Sequence, residues 1–383
     1  MSVCILIDGL LMEGDTAPGI FTPDVVRMAA VGQSGVLDLG TDSAHPERGD
    51  IYRNLLLGQD EAETPAALPL GYLSALGFGL DPDPKKSWAS LGLMHLFQKA
   101  NKLLFLPPDR VGLSVEEKRG LIEALKSEFA QQGWLVHYSE AWGKAVISSE
   151  QTLSARATAP SLLEGASFHD FLPQGEDASQ LLSLVTTGQM LLAREPLNRQ
   201  REAEQRLPLN TPWVWGVGTG EEYRCPPLSV GRTGCAWSGD PVVAGLARLS
   251  GLHPNHLDEQ QGIQLAWVEE VAEVALRERA VVHFQAPARL ARLGLLPERQ
   301  ALLEEINHRF LSPLSERLAQ GGGQLTLGTP ARLNKVGQPI IAPVPWLSIR
   351  GEAMRGKQRF WHRKKLGEGE PITVTQFCEE WTL

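Results

Sequence analysis

Little in this 383-residue chain is basic, rich in cysteine or continuously apolar, and each shortage removes a class of protein. With 36 Lys and Arg against 45 Asp and Glu, the formal charge is −9 and the pI about 5.6. That balance argues against a nucleic-acid binder working through an overall basic field. The 4 cysteines, Cys4, Cys225, Cys235 and Cys378, are far apart, with no CxxC pair and no histidines at zinc spacing. They read as reduced structural thiols. No stretch approaches the ~20 apolar residues of a membrane span, and the opening lacks the basic segment and cleavage site of a signal peptide. The expectation is a soluble, cytoplasmic protein with no membrane partner. At 43% hydrophobic and 21% charged residues the chain can bury an ordinary core. Its length suggests two domains or one with a large insertion.

Several stretches announce their secondary structure. Val3–Leu10 is a short β-branched apolar run closed by Asp8-Gly9, as in a buried parallel strand that presents Asp8 at its carboxyl end. Thr22-Pro23-Asp24 is a helix start, with Val25–Ala30 following and a second strand after Gly32–Gly35. Ser114 and Glu117 form a capping box ahead of an amphipathic helix, and Trp134–His137 and Lys144–Ser148 read as strands around a turn. Ser179–Arg206 is a helical pattern that Pro196 should interrupt. Gly216-Val217-Gly218-Thr219-Gly220 lacks the order of a phosphate-binding loop, and reads as a tight strand-to-loop turn in a doubly wound sheet. His95 reads as a satisfied structural histidine, His169-Asp170 as a surface turn, and His253, His256 and Asp258 as solvent-facing loop residues.

Laid end to end, these stretches resemble the archaeal-type cofactor-independent phosphoglycerate mutases, a branch of the alkaline phosphatase superfamily. The family's apolar strand ending Asp-Gly, followed by T-P-N-L-D, is similar to the opening. Leu73–Pro84 resembles its L-E-A-L-G-A-G-I-E-L-K-P-G-D, Glu195–Arg201 its H-P-V-N-x-x-R, Arg206–Gly220 its G-L-P-P-A-N phrase, and Cys235–Leu252 its C-I-A-G-V-A-L-I-K-G-I-A-R-L-L-G-M. The resemblance implies an α/β fold, an alkaline-phosphatase-like three-layer sandwich with a mostly parallel sheet. It places residues 1–70 and 174–383 in the main domain and 71–173 in an inserted α+β lid domain.

The family's chemistry is a different matter. Its P-x-G-S-D-x-A-x-x-S-I-L-G-Y-D stretch carries the serine that attacks phosphate, and His45–Asp60 keeps Pro46, Asp50, Gly58 and Asp60 while putting Arg48 and Gly49 where Gly-Ser stands. Glycine has no attacking atom. The resemblance puts Asp8 at a metal-ligating aspartate, although a lone carboxylate rarely holds a metal, and a turn after the strand is the preferred reading of Asp8. It implies further ligands at Ala288, Arg292, Thr326 and Leu327, none of which is a metal donor of the expected type, and Ala89 and Leu91 stand where the family has substrate-contacting Arg and Asn. Asp8 and Asp50 are remnants of a site.

The expectation is a phosphoglycerate-mutase-like protein that has lost phosphoryl transfer and serves in binding, scaffolding or regulation, with no cofactor. The alternative is an active mutase or metal-dependent phosphatase with a relocated site and manganese. Candidate ligand contacts are Arg48, Asn198, Arg201, Gly216, Gly218 and Arg292, for a phosphorylated or anionic small molecule. The basic stretch Arg350–Lys365, with Phe360-Trp361 inside it, could take a protein or acidic partner, or be a solvated loop.

Overall fold

A computed structural model describes residues 2–8, 10, 33–37, 68–221, 233–259, 262–328, 332–333, 339–340 and 344–350. Arg48, Gly49, Asp50, the expected helix at Val25–Ala30 and the basic stretch after Arg350 lie outside them. The chain divides into two compact units: Met1–Glu63, Pro226–Val243 and Ala247–Leu383 in the first, Thr64–Cys225 and Ala244–Leu246 in the second.

The first unit is an α/β unit on a mostly parallel sheet. Its strands are β1 (Ser2–Ile7), β2 (Gln33–Leu37), β8 (Gly234–Ser238), β9 (His253–His256), β10 (Arg279–Phe284), β11 (Gln324–Gly328) and β14 (Val344–Arg350), in the order β2-β14-β11-β1-β10-β8-β9. The pairs β11–β1–β10–β8–β9 are parallel; β14 pairs antiparallel with β11 and β2, and the two-residue strands β12 (Arg332–Leu333) and β13 (Pro339–Ile340) pair with each other. The continuous apolar run of β1 follows from its central place, for a strand covered on both faces has no solvent side to fill with polar residues. Val3, Ile5, Ile7, Val282 and Phe284 pack on Val268, Val271, Phe310 and Leu314. The last two belong to a π-helical turn (Ile306–Leu311) and the helix after it, and Phe284 meets Phe310 edge to face at 5.3 Å.

The second unit is a five-stranded antiparallel sheet: β3 (Ser87–Lys99) pairs with β4 (Lys102–Leu106), β6 (Lys144–Ser149) and β7 (Thr211–Gly218), and β6 with β5 (Trp134–Ser139). Helices α1 (Leu70–Gly77), α2 (Val115–Glu123), α3 (Lys126–Gln131), α4 (Ala178–Leu192) and α5 (Pro196–Ala203) accompany it. The expected capping box is present, Ser114 Oγ accepting from the Glu117 N–H and the Glu117 carboxylate from the Ser114 N–H.

Three expectations need correction. The second unit runs beyond residue 173 to Cys225, because β7 is hydrogen-bonded to β3 and α4 and α5 lead into it. The Gly216–Gly220 stretch begins inside β7 of this antiparallel sheet rather than at a turn of a doubly wound one. Register slips between Trp88 and Ser90, and Gly216, at φ +63°, takes the left-handed conformation that such a bulge demands. His253 and His256 are exposed as expected, but they form edge strand β9, since parallel pairing with β8 captures them. Among the described residues no helix is long and apolar enough to cross a membrane.

Candidate functional site

Parallel register assembles the polar group in the first unit. His283 on β10 lies opposite Ser238 on β8 and opposite Leu6 on β1. Residues two apart on a strand share a face, so Asp8, two beyond Leu6, emerges on the same side. The result is a line across the carboxyl ends of three adjacent strands, the place where open α/β sheets carry their ligands. His283 Nε2 stands 3.4 Å from Asp8 Oδ2, and Nδ1 2.8 Å from Ser238 Oγ. Ser238 Oγ also accepts the Asp240 N–H at 2.9 Å. Asp8, Ser238 and His283 are buried, at 4%, 1% and 0% exposure.

Glu259, just past β9, sits alongside. Its two oxygens accept the N–H groups of Gln285 and Ala286, each at 2.9 Å, where the short helix Ala286–Arg292 begins. Burial raises the Glu259 carboxyl above the usual range despite these bonds and the nearby His283. For His283, burial opposes the charged ring, but Asp8, with help from Asp240 and Glu259, outweighs it and holds the imidazole above the ordinary histidine range.

A hydroxyl, an imidazole and a carboxylate in line have the composition of a nucleophilic triad. The setting is wrong for one: the hydroxyl is closed off from solvent and already bonded to its own backbone turn. The line instead satisfies buried polar groups among themselves.

Nor does the donor set suit the divalent ions that the family resemblance implies. Among the described residues no three His, Cys, Asp or Glu side chains gather to hold a metal. Ala288 is 1% exposed and packs with Ala291, Leu327 belongs to the main core at 5%, and Arg292 ends the helix Ala286–Arg292, where a cation suits the helix dipole. The Thr326 backbone lies in β11, paired with Cys4 and Ser348. Hard cations need several converging oxygen or nitrogen ligands, and Asp8 alone among these positions offers one.

The other expected ligand contacts lie in the second unit, where their polar atoms are engaged. Arg201, 1% exposed, donates Nε to the Leu207 carbonyl, Nη1 to Glu117 and Gly112, and Nη2 to the Val111 and Gly112 carbonyls. A guanidinium has five N–H groups, and all are used. Asn198 donates to the carbonyls of Leu192 and Leu209 and accepts the Leu209 N–H. Both residues tie α5 to its surroundings. Gly216 and Gly218 are required by close packing: a Cβ on Gly216 would meet the Leu70 Cβ at 2.5 Å, and one on Gly218 the Pro69 Cβ at 2.8 Å. His95 is satisfied as expected, its Nδ1 lying 2.7 Å from the Pro208 carbonyl. Ala89 and Leu91 are buried in the sheet core.

Sequence reading missed Ser238, Asp240 and Glu259. The Ser-Gly-Asp closing β8 was a usable signal, because it ends a strand as Asp8-Gly9 does, but only register brings it beside His283.

The fold and site thus define an α/β protein with a polar cluster at the carboxyl ends of its parallel strands. No family model matches the chain. It is 23% identical over 340 residues to a probable 2,3-bisphosphoglycerate-independent phosphoglycerate mutase of Geobacter sulfurreducens, covering 86% of this chain and 84% of that protein. It is 21% identical over 306 residues to the 2,3-bisphosphoglycerate-independent phosphoglycerate mutase of Methanosarcina mazei, covering 77% and 74%. The solved structure of the PH0037 protein from Pyrococcus horikoshii shares the fold, with a TM-score of 0.63 at 16% identity over 91% of this chain and 87% of that one. The chain is a phosphoglycerate-mutase-like protein, homologous to these mutases along most of its length.

Proposed function

We propose that this protein does not transfer phosphoryl groups and works by binding, with a phosphorylated or otherwise anionic small molecule as its ligand class. The observation that carries the reading is the fate of the positions where the resemblance expects metal ligands. Ala288 and Leu327 are buried among apolar side chains, and Arg292 brings a positive charge to a place meant for carboxylates. Two ions and an attacking hydroxyl are what would lower the barrier to phosphoryl transfer. With Gly49 at the nucleophile position, the loss extends to both halves of that machinery.

The test is a coupled assay of 3-phosphoglycerate to 2-phosphoglycerate conversion with added manganese, run beside a thermal-shift titration with 3-phosphoglycerate. Turnover at the background rate, with unfolding moved upward by the phosphorylated acid, is the expected pair of results. Manganese-dependent turnover would restore the competing reading, an active mutase with a relocated site.

A further inference from the structure

We infer that strand β5 is an interface: its open edge takes β5 of a second copy of this chain, antiparallel and about a two-fold axis at Val136. The inference stands apart from the proposed function and uses none of the residues of the polar cluster.

The edge of a sheet presents N–H and C=O groups ready to pair with another chain, and soluble proteins cover or spoil such edges. The second unit does so at two of three places. Beside β4 the chain returns to cover it, the Phe105 N–H donating to the Ala166 carbonyl, the Gly165 N–H to the Phe105 carbonyl, and Leu104 bridging Ser167. Strand β7 carries Pro212 and the bulge at Gly216, and both spoil a ladder. Strand β5 has no such device. It ends the sheet, and its sequence Trp-Leu-Val-His-Tyr-Ser holds no proline, no glycine and no charged Lys, Arg, Asp or Glu. Among the described residues only β6 pairs with its backbone, and Leu135 on it is 53% exposed.

What fits such an edge is another strand, and β5 itself supplies one. Pairing about Val136 sets Val136 against its own copy, Leu135 against the partner's His137, and Trp134 against the partner's Tyr138. Residues paired across a ladder share a face, and each of these pairs joins positions an even number apart. The core-facing side of β5, with Trp134, Val136 and Tyr138, is therefore continued by the same side of the partner. Charge selects the antiparallel arrangement. Glu140, directly after β5, has a side chain 71% exposed and paired with Arg119 at 3.0 Å. Parallel pairing in register would bring two Glu140 carboxylates together. Antiparallel pairing about Val136 sets each beside the partner's Gln132 instead. Gln132 Oε1 accepts from Ser183 Oγ at 3.1 Å, which leaves the amide N–H groups to donate to a carboxylate. The contact is isologous, so it forms twice and closes at two copies.

The experiment uses the full chain. Sedimentation equilibrium over a wide range of concentration is run on wild type, Leu135→Lys, Gln132→Glu and Gln132→Lys, with amide hydrogen exchange of Trp134–Ser139 followed alongside. Leu135 is exposed and Gln132 lies in a turn, so circular dichroism should show all four folded alike. The expected result is a monomer–dimer equilibrium with exchange at β5 slowing as dimer forms. Leu135→Lys and Gln132→Glu should each raise the dissociation constant about tenfold or more, the second by setting like charges opposite each other, and Gln132→Lys should lower it. A monomer at every concentration overturns the inference. So does a dimer indifferent to all three substitutions, or a monomer whose β5 amides are protected only when an unrelated extended peptide is added. Should a variant fail to fold, the wild-type mass and its concentration-dependent exchange at β5 still decide.

Discussion

The two units treat matched positions in opposite ways. In the second unit, Asn198, Arg201, Gly216 and Gly218 keep the residue types of the mutase-like pattern, and each is occupied in holding the unit together. In the first, Asp8 matches the pattern while Ala288, Arg292 and Leu327 depart from it, at positions where the resemblance expects metal ligands. The difference teaches how to read a partial match. A residue that matches the pattern can be one that the fold itself requires. Asn210 illustrates it, since its side-chain amide accepts the Leu96 N–H and donates to the Leu96 carbonyl, extending the β3 ladder as a backbone peptide would.

The sharpest way to break this comparison is at Arg201. If it is structural, Arg201→Leu strips partners from the carbonyls of Leu207, Gly112 and Val111 and from Glu117, and should cost about 3–5 kcal/mol. Urea denaturation followed by circular dichroism reads the loss. A change near zero, with weaker binding of a phosphorylated acid, would return Arg201 to the ligand contacts and undo the contrast.

In the first unit the corresponding change is Ala288→Asp, which restores the expected carboxylate. Were the site short of a single ligand, manganese should stabilise this variant. Ala288 is instead closed in against Ala291, on a helix whose first N–H groups Glu259 already occupies. The added charge should therefore cost about 3 kcal/mol, undiminished by manganese in a thermal melt.

How far the sequence disclosed all this depends on the kind of interaction. The run Val3–Ile7, the capping box at Ser114 and Glu117, and the break before Pro196 are local signals, and the structure places a strand, a cap and a helix boundary there. The family resemblance brought the α/β fold within reach. The Asp8–His283–Ser238 line was not legible, because it depends on which strands are neighbours and on their register, which no single stretch encodes. The internal partners of Asn198 and Arg201 were hidden for the same reason: a polar residue in a motif looks the same whether its partner is a ligand or a carbonyl 90 residues away.

The smallest effect expected is electrostatic and sharpens the second unit's side of the contrast. Burial pushes the Glu117 carboxyl up, but the Ser114 N–H and the guanidinium groups of Arg206 and Arg201 outweigh it and hold the group below the ordinary value of 4.5. A carboxyl whose folded pKa is depressed contributes stability that is present above its unfolded pKa and lost as pH falls through the folded one. Glu117→Gln keeps the size and an acceptor oxygen but no charge. Its deficit against wild type should be on the order of 1 kcal/mol at pH 7, allowing for solvent screening at a side chain not fully enclosed. It should shrink as the pH is lowered below about 4.5, where wild type protonates too. Denaturation curves for both proteins across that range test the assignment. A deficit that stays constant down to the lowest pH would mean that Glu117 acts by its shape and its cap alone, and that the two arginines draw their stability from the carbonyls instead.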